Sequence, residues 1–512
     1  MNPADLSNFR KPFCRLLLGA GFVLTLIFLA AEIRLVRSPS QRDYGEGHIV
    51  WLTQEILDTS QAYKPLDTLP YVVYPYPPIY MLAARLVNSA FAAQLTAGRS
   101  LSLLSTLGIG VVLALTVAFS SSPRTPLLLR AASGAFAGVL PLMMNTVSEW
   151  CSLMRVDMLA LLLMYAGLGV YIALGKREPW QYAAAILFVL ALFTKQTMVS
   201  APLACLSIGF FVDRKRTVRV GVFAVAVILA GVWLLNNVIY DGFLINILNY
   251  NVHPFSWKDA CLAIYNHVRE CWPWLAISAA AIFGIRNAAR IRQLGWRRFL
   301  EARSASPYSR AVVLAGLNSG FALASTVAVG KRGAFYNYFL AWDISICLLC
   351  GLFMFRMLAV WNRGGNSGRI MAVACTALLL GLLLPSMTLV LGLRRSGVSG
   401  PVAGEAEIVQ AIRQTSGPVF SENIDLLMQA GKPLEVEPST VTDLTLTGGW
   451  DERPYVQLFD LQYFGLLVAN DIHFADRYSP AVTSAIERNY VREKPIGPYS
   501  IYRPIPRISP AR

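Results

Sequence analysis

The segment RKPFCRLLLGAGFVLTLIFLAAEI occupies residues 10–33 and decides the class of the protein. Its apolar part, Phe13 to Ile33, is about as long as one membrane crossing in helical form. Arg10, Lys11 and Arg15 lie at the start of the run. A secretory signal would have a shorter apolar part and a small-residue cleavage site after it, and no convincing site follows here. The segment therefore predicts a retained first transmembrane helix.

The rest of the chain continues this pattern. Its 512 residues are 55% hydrophobic and 15% charged, with a mean hydropathy of +0.49. Such a composition excludes an ordinary soluble protein of this length. Further apolar runs of spanning or near-spanning length lie near 99–119, 131–148, 152–174, 180–194, 197–212, 219–238, 273–288, 311–329, 335–357 and 369–392. Together with the first run, they predict an α-helical polytopic membrane protein with about eleven transmembrane helices.

The formal net charge is +15, and the basic residues that cause it are distributed according to the predicted membrane topology. Basic clusters fall in every second loop, at 124–130, 176–177, 214–219, 286–310 and 356–369. Loops rich in Lys and Arg stay in the cytoplasm, which places the N-terminus inside and, with an odd number of helices, the C-terminal segment outside. The charge is thus interpreted as a membrane signal, and no nucleic-acid partner is expected.

Three segments are long enough to fold on the outer side. The sequence predicts a transmembrane catalytic domain over residues 1–399 with outer loops 34–96 and 239–272, and a soluble domain over 400–512. The last segment is more polar and lacks a spanning run. Its strand-like pieces at 418–422, 434–437, 464–468 and 499–503 alternate with helix-like pieces at 405–414 and 481–489. This alternation predicts a small extracytoplasmic α/β domain.

Charged residues at the outer ends of the helices are the candidates for chemistry. Each such group costs roughly 2.5 to 3.5 kcal/mol inside a membrane, so it calls for a functional reason. The candidates are Asp43, Glu46, Glu149, Arg155, Asp157, Lys195, His253, Lys331 and Arg332. The inner ends carry almost only Arg and Lys in short loops, so we expect the outer face to be the chemical one.

All of these candidates except Glu149 also have a purely structural explanation. The explanations are a helix cap for Asp43 and Glu46, an ion pair for Arg155 with Asp157, contact with lipid headgroups for Lys195, an ordinary loop position for His253, and flanking charge for Lys331 and Arg332. The last explanation is weakened because the rule for basic loops disfavours cations on the outer side.

One reaction needs all of these groups together. Transfer of a sugar from a polyprenyl phosphate requires a carboxylate that takes the proton from an acceptor hydroxyl, an effect worth roughly 10²- to 10⁴-fold. It also requires cations that hold the departing phosphate by charge-assisted hydrogen bonds. The lipid tail of the donor stays in the bilayer, so the site has to lie at the membrane boundary.

Several short motifs resemble the GT-C superfamily of polytopic glycosyltransferases, especially bacterial members similar to glycosyltransferase family 39 and the protein O-mannosyltransferases. The motifs are Asp43-Tyr44-Gly45-Glu46-Gly47, Tyr74-Pro75-Tyr76-Pro77-Pro78-Ile79-Tyr80, Arg155-Val156-Asp157, Thr194-Lys195-Gln196-Thr197, Asn251-Val252-His253-Pro254, Gly330-Lys331-Arg332-Gly333 and Asn337-Tyr338. The C-terminal segment, with Ser421-Glu422-Asn423 and Tyr499-Ser500-Ile501-Tyr502, is similar to the outer domain of the same bacterial members. The resemblance covers nearly the whole chain.

The resemblance implies a role for each residue. In the family the acid of the first outer loop is the catalytic base, which points to Glu46 as first choice and Asp43 as alternative. Here the two are spaced as Asp-x-x-Glu, whereas many relatives have an adjacent pair. The second acidic position falls on Asp157 or Glu149. The donor phosphate is expected at Lys195, Lys331, Arg332 and Arg155, and Tyr76, His253 and Asn337 are candidate substrate-binding residues.

The resemblance implies an inverting glycosyltransferase in the bacterial cytoplasmic membrane. It would move a sugar from a polyprenyl-phosphate donor to a glycan, lipid or protein acceptor on the outer side, in contact with membrane lipids. No cofactor is required by the residues, no metal-ligand set is evident, and a divalent cation is left open. The alternatives are a transporter or flippase of a lipid-linked or anionic solute, and a membrane scaffold without catalytic activity.

Overall fold

Long apolar helices form the body of the protein. The computed structural model describes residues 3–89, 93–121, 125–283, 306–361 and 404–507, with isolated positions at 298, 370–371, 373–374, 377 and 381. Within these ranges, six spans are long and apolar enough to cross a membrane: Lys11–Val36, Gln94–Phe119, Asp157–Leu174, Arg214–Ile239, Pro307–Gly330 and Leu340–Trp361. A helix satisfies its backbone polar groups internally, which is why apolar segments of this length are helical in lipid.

The helices of the membrane part follow one another with short connections. They are α1 (Pro3–Val36), α2 (Tyr44–Glu55), α3 (Ile79–Asn88), α4 (Gln94–Phe119), α5 (Leu127–Val139), α6 (Asn145–Trp150), α7 (Asp157–Leu174), α8 (Glu178–Leu192), α9 (Ser200–Val212), α10 (Arg214–Leu234), α11 (Trp257–Phe283), α12 (Pro307–Ser325) and α13 (Leu340–Trp361). Single 3-10 or π turns lie at Leu140–Met143, Leu235–Ile239, Ile245–Asn249, Thr326–Gly330 and Tyr336–Tyr338.

Most helices match the apolar runs of the sequence, but the predicted run 131–148 is divided between α5, the 3-10 turn Leu140–Met143 and α6. Two further differences concern the predicted outer loops. Helix α11 begins at Trp257, so the second half of the predicted outer loop 239–272 is continuous with the following span. His267, Arg269 and Glu270 interrupt the hydropathy there, and His267 is nevertheless buried. The other difference is α3, a short apolar helix inside the first outer loop. The eleventh run, 369–392, lies almost entirely outside the described residues.

Close helix packing builds the centre of the membrane part. Helices α4, α5, α7 and α13 share one core of buried apolar side chains. At Gly110 of α4 and Gly138 of α5 the backbones approach so closely that a Cβ on either residue would lie 2.6 to 2.7 Å from the other's carbonyl oxygen. Small residues permit such contacts between helices in lipid. By contrast, the span of α10 has no buried residue in its most apolar window, so this helix lies at the periphery.

The C-terminal segment forms the α/β domain that the sequence predicts. Its elements are α14 (Glu405–Gln414), β1 (Val419–Ser421), α15 (Ile424–Ala430), α16 (Pro438–Leu446), α17 (Arg453–Asp460), β2 (Leu466–Ala469), α18 (Pro480–Asn489), β3 (Tyr490–Ile496) and β4 (Tyr499–Pro504). The sheet order is β1-β2-β4-β3, with β1 parallel to β2 and the other pairs antiparallel. The predicted piece at 434–437 is no strand of this sheet and instead forms a single bridge from Val436 to Tyr71.

This domain packs directly on helix α2. Gly47 permits the approach, because a Cβ there would lie 2.7 Å from the backbone nitrogen of Asp425 at the start of α15. Ser40 donates a hydrogen bond of 2.5 Å to Glu405, and the backbone of Gln41 donates one of 3.2 Å to Asp425. The first turn of α2 therefore lies between the membrane helices and the C-terminal domain.

Candidate functional site

A cavity of about 330 Å³ lies between the C-terminal domain and the ends of the membrane helices that the sequence predicts to be the outer ones. Its wall includes residues from eight separate stretches of the chain, two of them in the C-terminal domain. The residues of the sequence analysis that line it are Asp43, Tyr76, Arg155, Lys195, His253, Lys331, Arg332 and Asn337. Glu46, Asp157 and Glu149 do not line it. Glu149 is exposed and precedes Trp150, which does line the cavity.

Asp43 is held by its own helix and by Arg155. It is the N-cap of α2, and its Oδ1 accepts a hydrogen bond of 3.1 Å from the backbone of Gly45. The same oxygen accepts a bond of 2.9 Å from Nη1 of Arg155. Among the described residues, none donates to the other oxygen, Oδ2. The side chain is 22% exposed, so this carboxylate is both fixed and accessible from the cavity.

Glu46 lies in the first turn of α2, after Asp43, and its environment differs from that of Asp43. Its side chain is fully buried and forms an ion pair of 2.7 Å with Arg99. Both of its oxygens accept from Arg99, and the backbone nitrogens of Arg42 and Met154 donate to it at 2.7 and 2.8 Å. Burial alone would raise the pKa of Glu46, but the hydrogen bonds and charge of Arg99 outweigh it and hold the pKa below its usual value. Both oxygens of Glu46 are thus fully hydrogen-bonded, which is typical of a carboxylate with a structural role.

Asp157 and Lys195 form a second buried ion pair at the floor of the cavity. Nζ of Lys195 lies 2.5 Å from Oδ1 of Asp157, and Asn337 donates to the same oxygen at 3.1 Å. The side chain of Asp157 is fully buried and that of Lys195 is 5% exposed. The ammonium of Lys195 also lies 5.2 Å from the centre of the Tyr338 ring. Lys195 lies in the break between α8 and α9, and Asp157 is the first residue of α7, so the ion pair connects these two parts of the chain.

Lys331 and Arg332 enter the cavity from one loop with different partners. The loop is fixed by backbone hydrogen bonds of 2.9 Å from Ser256 to Gly330 and 2.8 Å from Arg332 to Pro254. Nε of Arg332 lies 2.7 Å from Asp476 and 3.6 Å from Asp443, both on the C-terminal domain. The ammonium of Lys331 has no hydrogen-bond or ion-pair partner within the part of the chain that the structure describes. Lys331 is therefore the cation that a ligand reaches with the least rearrangement.

The C-terminal domain supplies a wall of the cavity that the sequence analysis missed. Nδ1 of His253 lies 2.7 Å from Oδ2 of Asp443. The hydroxyl of Tyr44 donates to Glu437 at 2.5 Å, and the guanidinium of Arg477 lies 3.5 Å from the centre of the Tyr44 ring. Tyr44 and Glu437 are separated by 393 positions, and no local pattern relates two residues so far apart.

One buried cluster has ligand types that suit a metal ion, and it does not line the cavity. His267 and Cys271 lie one turn apart on α11, and Asp343 lies at the start of α13. Nε2 of His267 is 2.8 Å from Oδ1 of Asp343 and 3.6 Å from the sulfur of Cys271. Thr146 donates to the second oxygen of Asp343 at 2.5 Å. These contacts already form a hydrogen-bonded network that joins two membrane helices.

Comparison with solved structures shows the fold, whereas comparisons of the sequence do not. No family model matches the chain, and no curated protein matches its sequence. The structure of ArnT from Cupriavidus metallidurans bound to undecaprenyl phosphate is similar with a TM-score of 0.57 at 16% identity, over 96% of this chain and 98% of that one. The archaeal oligosaccharyltransferase AglB from Archaeoglobus fulgidus, in complex with an inhibitory peptide and a dolichol-phosphate, gives 0.56 at 12% identity, over 97% and 75%. Both are GT-C fold enzymes, so the expected fold is confirmed, and the chain is a multi-pass membrane protein.

Proposed function

We propose, from the GT-C fold that the chain shares with these membrane glycosyltransferases, that it is an inverting glycosyltransferase. It moves a sugar from a polyprenyl-phosphate donor to a glycan, lipid or protein acceptor on the outer side of a bacterial cytoplasmic membrane. The similar structures contain undecaprenyl phosphate or a dolichol-phosphate, which supports a donor of that class. The alternation of basic loops supports a cytoplasmic N-terminus and an extracytoplasmic C-terminal domain.

The convergence of charged residues in one cavity carries this proposal. Asp43, Arg155, Lys195 and Lys331 are spread over nearly three hundred positions of the sequence and line the same space. These four groups are one carboxylate and three cations, in a cavity bordered by the ends of apolar helices. The other carboxylates that line it, Glu437, Asp443 and Asp476, belong to the C-terminal domain and are bonded to Tyr44, His253 and Arg332 respectively. A membrane scaffold without catalytic activity has no need for this arrangement, which contains the parts that transfer from a lipid phosphate requires.

Asp43 is the proposed base, in place of Glu46. A base has to reach the proton of the acceptor hydroxyl with a free oxygen, within hydrogen-bond distance. Asp43 lines the cavity and has such a free oxygen in Oδ2, whereas both oxygens of Glu46 are already bonded in a site closed to solvent. The order of preference from the sequence is therefore reversed: Asp43 acts in the cavity, and Glu46 supports the loop that carries it.

The transfer is a single displacement at the anomeric carbon. Oδ2 of Asp43 takes the proton of the acceptor hydroxyl while the hydroxyl oxygen forms its bond to the anomeric carbon. The bond from that carbon to the phosphate oxygen breaks, and the phosphate leaves with the electron pair. Lys331 stabilises the negative charge on the phosphate. Arg332, Lys195 and Arg155 are each paired with a carboxylate and contribute where the phosphate competes with that carboxylate for their N–H donors. One displacement from the opposite face inverts the anomeric centre.

An apolar groove beside the cavity suits the lipid tail. It has a volume of about 310 Å³ and is formed by α8, α9 and α10. Val199 lines the groove, and Lys195, Gln196 and Thr197 of the same loop line the cavity. A phosphate near Lys195 would therefore place its prenyl chain at the mouth of the groove. The exposed apolar face of α10 leaves this path open to the bilayer.

The test uses the full chain in lipid nanodiscs. A panel of radiolabelled undecaprenyl-phosphate hexoses and pentoses is incubated with the wild type and with Asp43→Asn, in the presence of a membrane extract that supplies acceptors. We expect transfer from one member of the panel, and a loss of roughly 10²-fold or more in Asp43→Asn. Asp451→Asn, an exposed carboxylate on the C-terminal domain, is the matched control. Full transfer by Asp43→Asn would remove Asp43 as the base.

Donor binding is measured separately with undecaprenyl phosphate alone. Lys331→Gln is expected to weaken this binding by about tenfold, which corresponds to one charge-assisted contact. Lys258→Gln changes an exposed lysine at the start of α11 and is expected to have no effect. Equal affinities for all three proteins would argue against a phosphate site at Lys331.

A further inference from the structure

Tyr44 connects the proposed base to the C-terminal domain. It follows Asp43 directly in the chain and is the first residue of α2, the helix that Asp43 caps. Its hydroxyl donates a hydrogen bond of 2.5 Å to Oε1 of Glu437. The guanidinium of Arg477 covers its ring at 3.5 Å from the centre. Both contacts come from the C-terminal domain, and both end on the residue adjacent to the base.

The partners of Tyr44 are themselves firmly held. Glu437 is the N-cap of α16, is 1% exposed, and accepts from the backbones of Ser439 at 3.1 Å and Thr440 at 2.8 Å. Arg477 donates to the hydroxyl of Ser439 at 2.7 Å. A carboxylate that caps a helix and a guanidinium that is hydrogen-bonded have little conformational freedom. The contacts with Glu437 and Arg477 therefore restrict the position of the Tyr44 side chain. Burial, followed by the charge of Glu437, raises the pKa of Tyr44, so its hydroxyl remains a donor at neutral pH.

Fixing Tyr44 fixes the direction of Asp43. The two residues share a peptide bond, and Oδ1 of Asp43 is bound by the backbone of Gly45 on the other side of Tyr44. A rotation of the first turn of α2 would move the Asp43 carboxylate relative to Arg155 and the acceptor. Displacements of about 1 Å at a reacting group can cost 10²-fold in rate.

We propose that Tyr44 is a positioning residue through which the C-terminal domain, by way of Glu437 and Arg477, orients Asp43 for catalysis. The proposal rests on the proposed function, in which Asp43 is the base. It assigns to the C-terminal domain a part in the reaction beyond closing the cavity. Tyr44 itself takes no proton and binds no phosphate.

A double-mutant cycle tests this role. Tyr44→Phe keeps the ring under Arg477 and removes the bond to Glu437. We expect kcat to fall about tenfold in the Asp43-containing enzyme, with KM for the donor and affinity for undecaprenyl phosphate unchanged within about twofold. In the Asp43→Asn background, Tyr44→Phe is expected to have no further effect on the residual kcat, because there is no longer a base to orient.

The control removes a tyrosine hydroxyl at the opposite end of the same helix. Tyr240 donates at 3.0 Å to the carbonyl of Ile56, the C-cap of α2. Tyr240→Phe is expected to retain the wild-type kcat. If Tyr44→Phe fails to fold, Arg477→Met enters the same cycle, since it removes the second contact with Tyr44 and leaves residues 43–47 unchanged.

The outcomes separate this proposal from the proposed function. Full activity of Asp43→Asn would overturn Asp43 as the base, and with it the positioning role of Tyr44, while the transfer itself would still support a glycosyltransferase. If Asp43→Asn is impaired, an equal loss from Tyr44→Phe in both backgrounds would overturn positioning alone, because it shows an effect independent of Asp43. A kcat for Tyr44→Phe within about twofold of the wild type would also overturn it. A loss confined to the Asp43-containing background, and absent from Tyr240→Phe, would support it.

Discussion

Arg99 binds Glu46 through two parallel hydrogen bonds, from Nε to Oε1 at 2.8 Å and from Nη2 to Oε2 at 2.7 Å, with both side chains fully buried. The guanidinium also donates to the carbonyls of Ser38 at 2.7 Å and Ser40 at 2.8 Å. Arg99 therefore fastens the loop between α1 and α2 to α4. This pair places the first turn of α2, and hence Asp43, at the edge of the cavity.

Glu46→Gln is expected to destabilise the protein rather than to disable the chemistry selectively. The substitution leaves the charge of Arg99 buried without a carboxylate, a change that costs about 3 to 5 kcal/mol in comparable buried pairs. Thermal unfolding in detergent should show a clear drop of the midpoint, and lost activity should follow the lost folded fraction. Asp43→Asn is the contrast, since we expect it to lose activity with little change in the midpoint. A wild-type midpoint for Glu46→Gln, combined with complete loss of transfer, would return Glu46 to the role of base.

Asp157 and Lys195 are expected to behave as a coupled pair. Asp157→Asn alone leaves the ammonium of Lys195 buried without its acid, and Lys195→Met alone leaves the carboxylate buried without its cation. Each single change should lower stability by about 3 to 5 kcal/mol. The double variant should be less destabilised than the sum of the two, because no uncompensated charge remains. Unfolding midpoints of the four proteins measure this coupling, and simple additivity would contradict it.

The sequence was sufficient for the membrane class, the fold and the eight candidate residues that line the cavity. Apolar runs and basic loops are local signals, so the helices could be located without knowing what they contact. The order of Asp43, Arg155, Lys195 and Lys331 along the predicted outer ends of the helices was enough to predict that they meet. The strands at 419–421, 466–469 and 499–504 were found in the same way, from short apolar pieces between turns.

What the sequence could not supply depends on contacts between distant residues. Glu46 and Asp43 both look like acids of an outer loop, and only the burial of Arg99 beside Glu46 tells them apart. Strand β3, Tyr490–Ile496, was missed because it is an exposed strand with four consecutive polar or proline positions, Arg492 to Pro495. The start of α11 was missed because His267 is a polar residue that is buried against Asp343.

Asp425 should make the contact between the C-terminal domain and the first outer loop depend on pH. Burial raises its pKa from 3.8 to about 6, with a further contribution from nearby Glu405 and Glu46. The folded state therefore binds a proton more tightly than the unfolded state, and stability falls as pH rises from about 4 to about 6. Above that range the loss is complete, on the order of 3 kcal/mol.

Asp425→Asn tests the sign of this effect. Gln41 and Gln429 both donate to Oδ2 of Asp425, so the amide oxygen of Asn can accept both bonds. We expect the variant to unfold at a higher temperature than the wild type at pH 7 and 8, with the difference vanishing near pH 4. Unfolding of the C-terminal domain is followed across this range, with the exposed Asp451→Asn as control. A variant that is less stable at pH 8 would contradict the prediction.

Gly45→Ala is expected to impair transfer without destabilising the fold. A Cβ at residue 45 would lie 1.4 Å from Nη1 of Arg155, the atom that binds Asp43. That atom is the end of a flexible side chain, so Arg155 can move aside at little cost in stability, but it then no longer holds the carboxylate. We expect kcat to fall about tenfold or more, with an unfolding midpoint close to that of the wild type. The matched control is Gly320→Ala on α12, where a Cβ meets no atom within 4 Å and transfer should be unaffected. If Gly45→Ala retains the wild-type kcat, the bond between Arg155 and Asp43 has no part in the reaction.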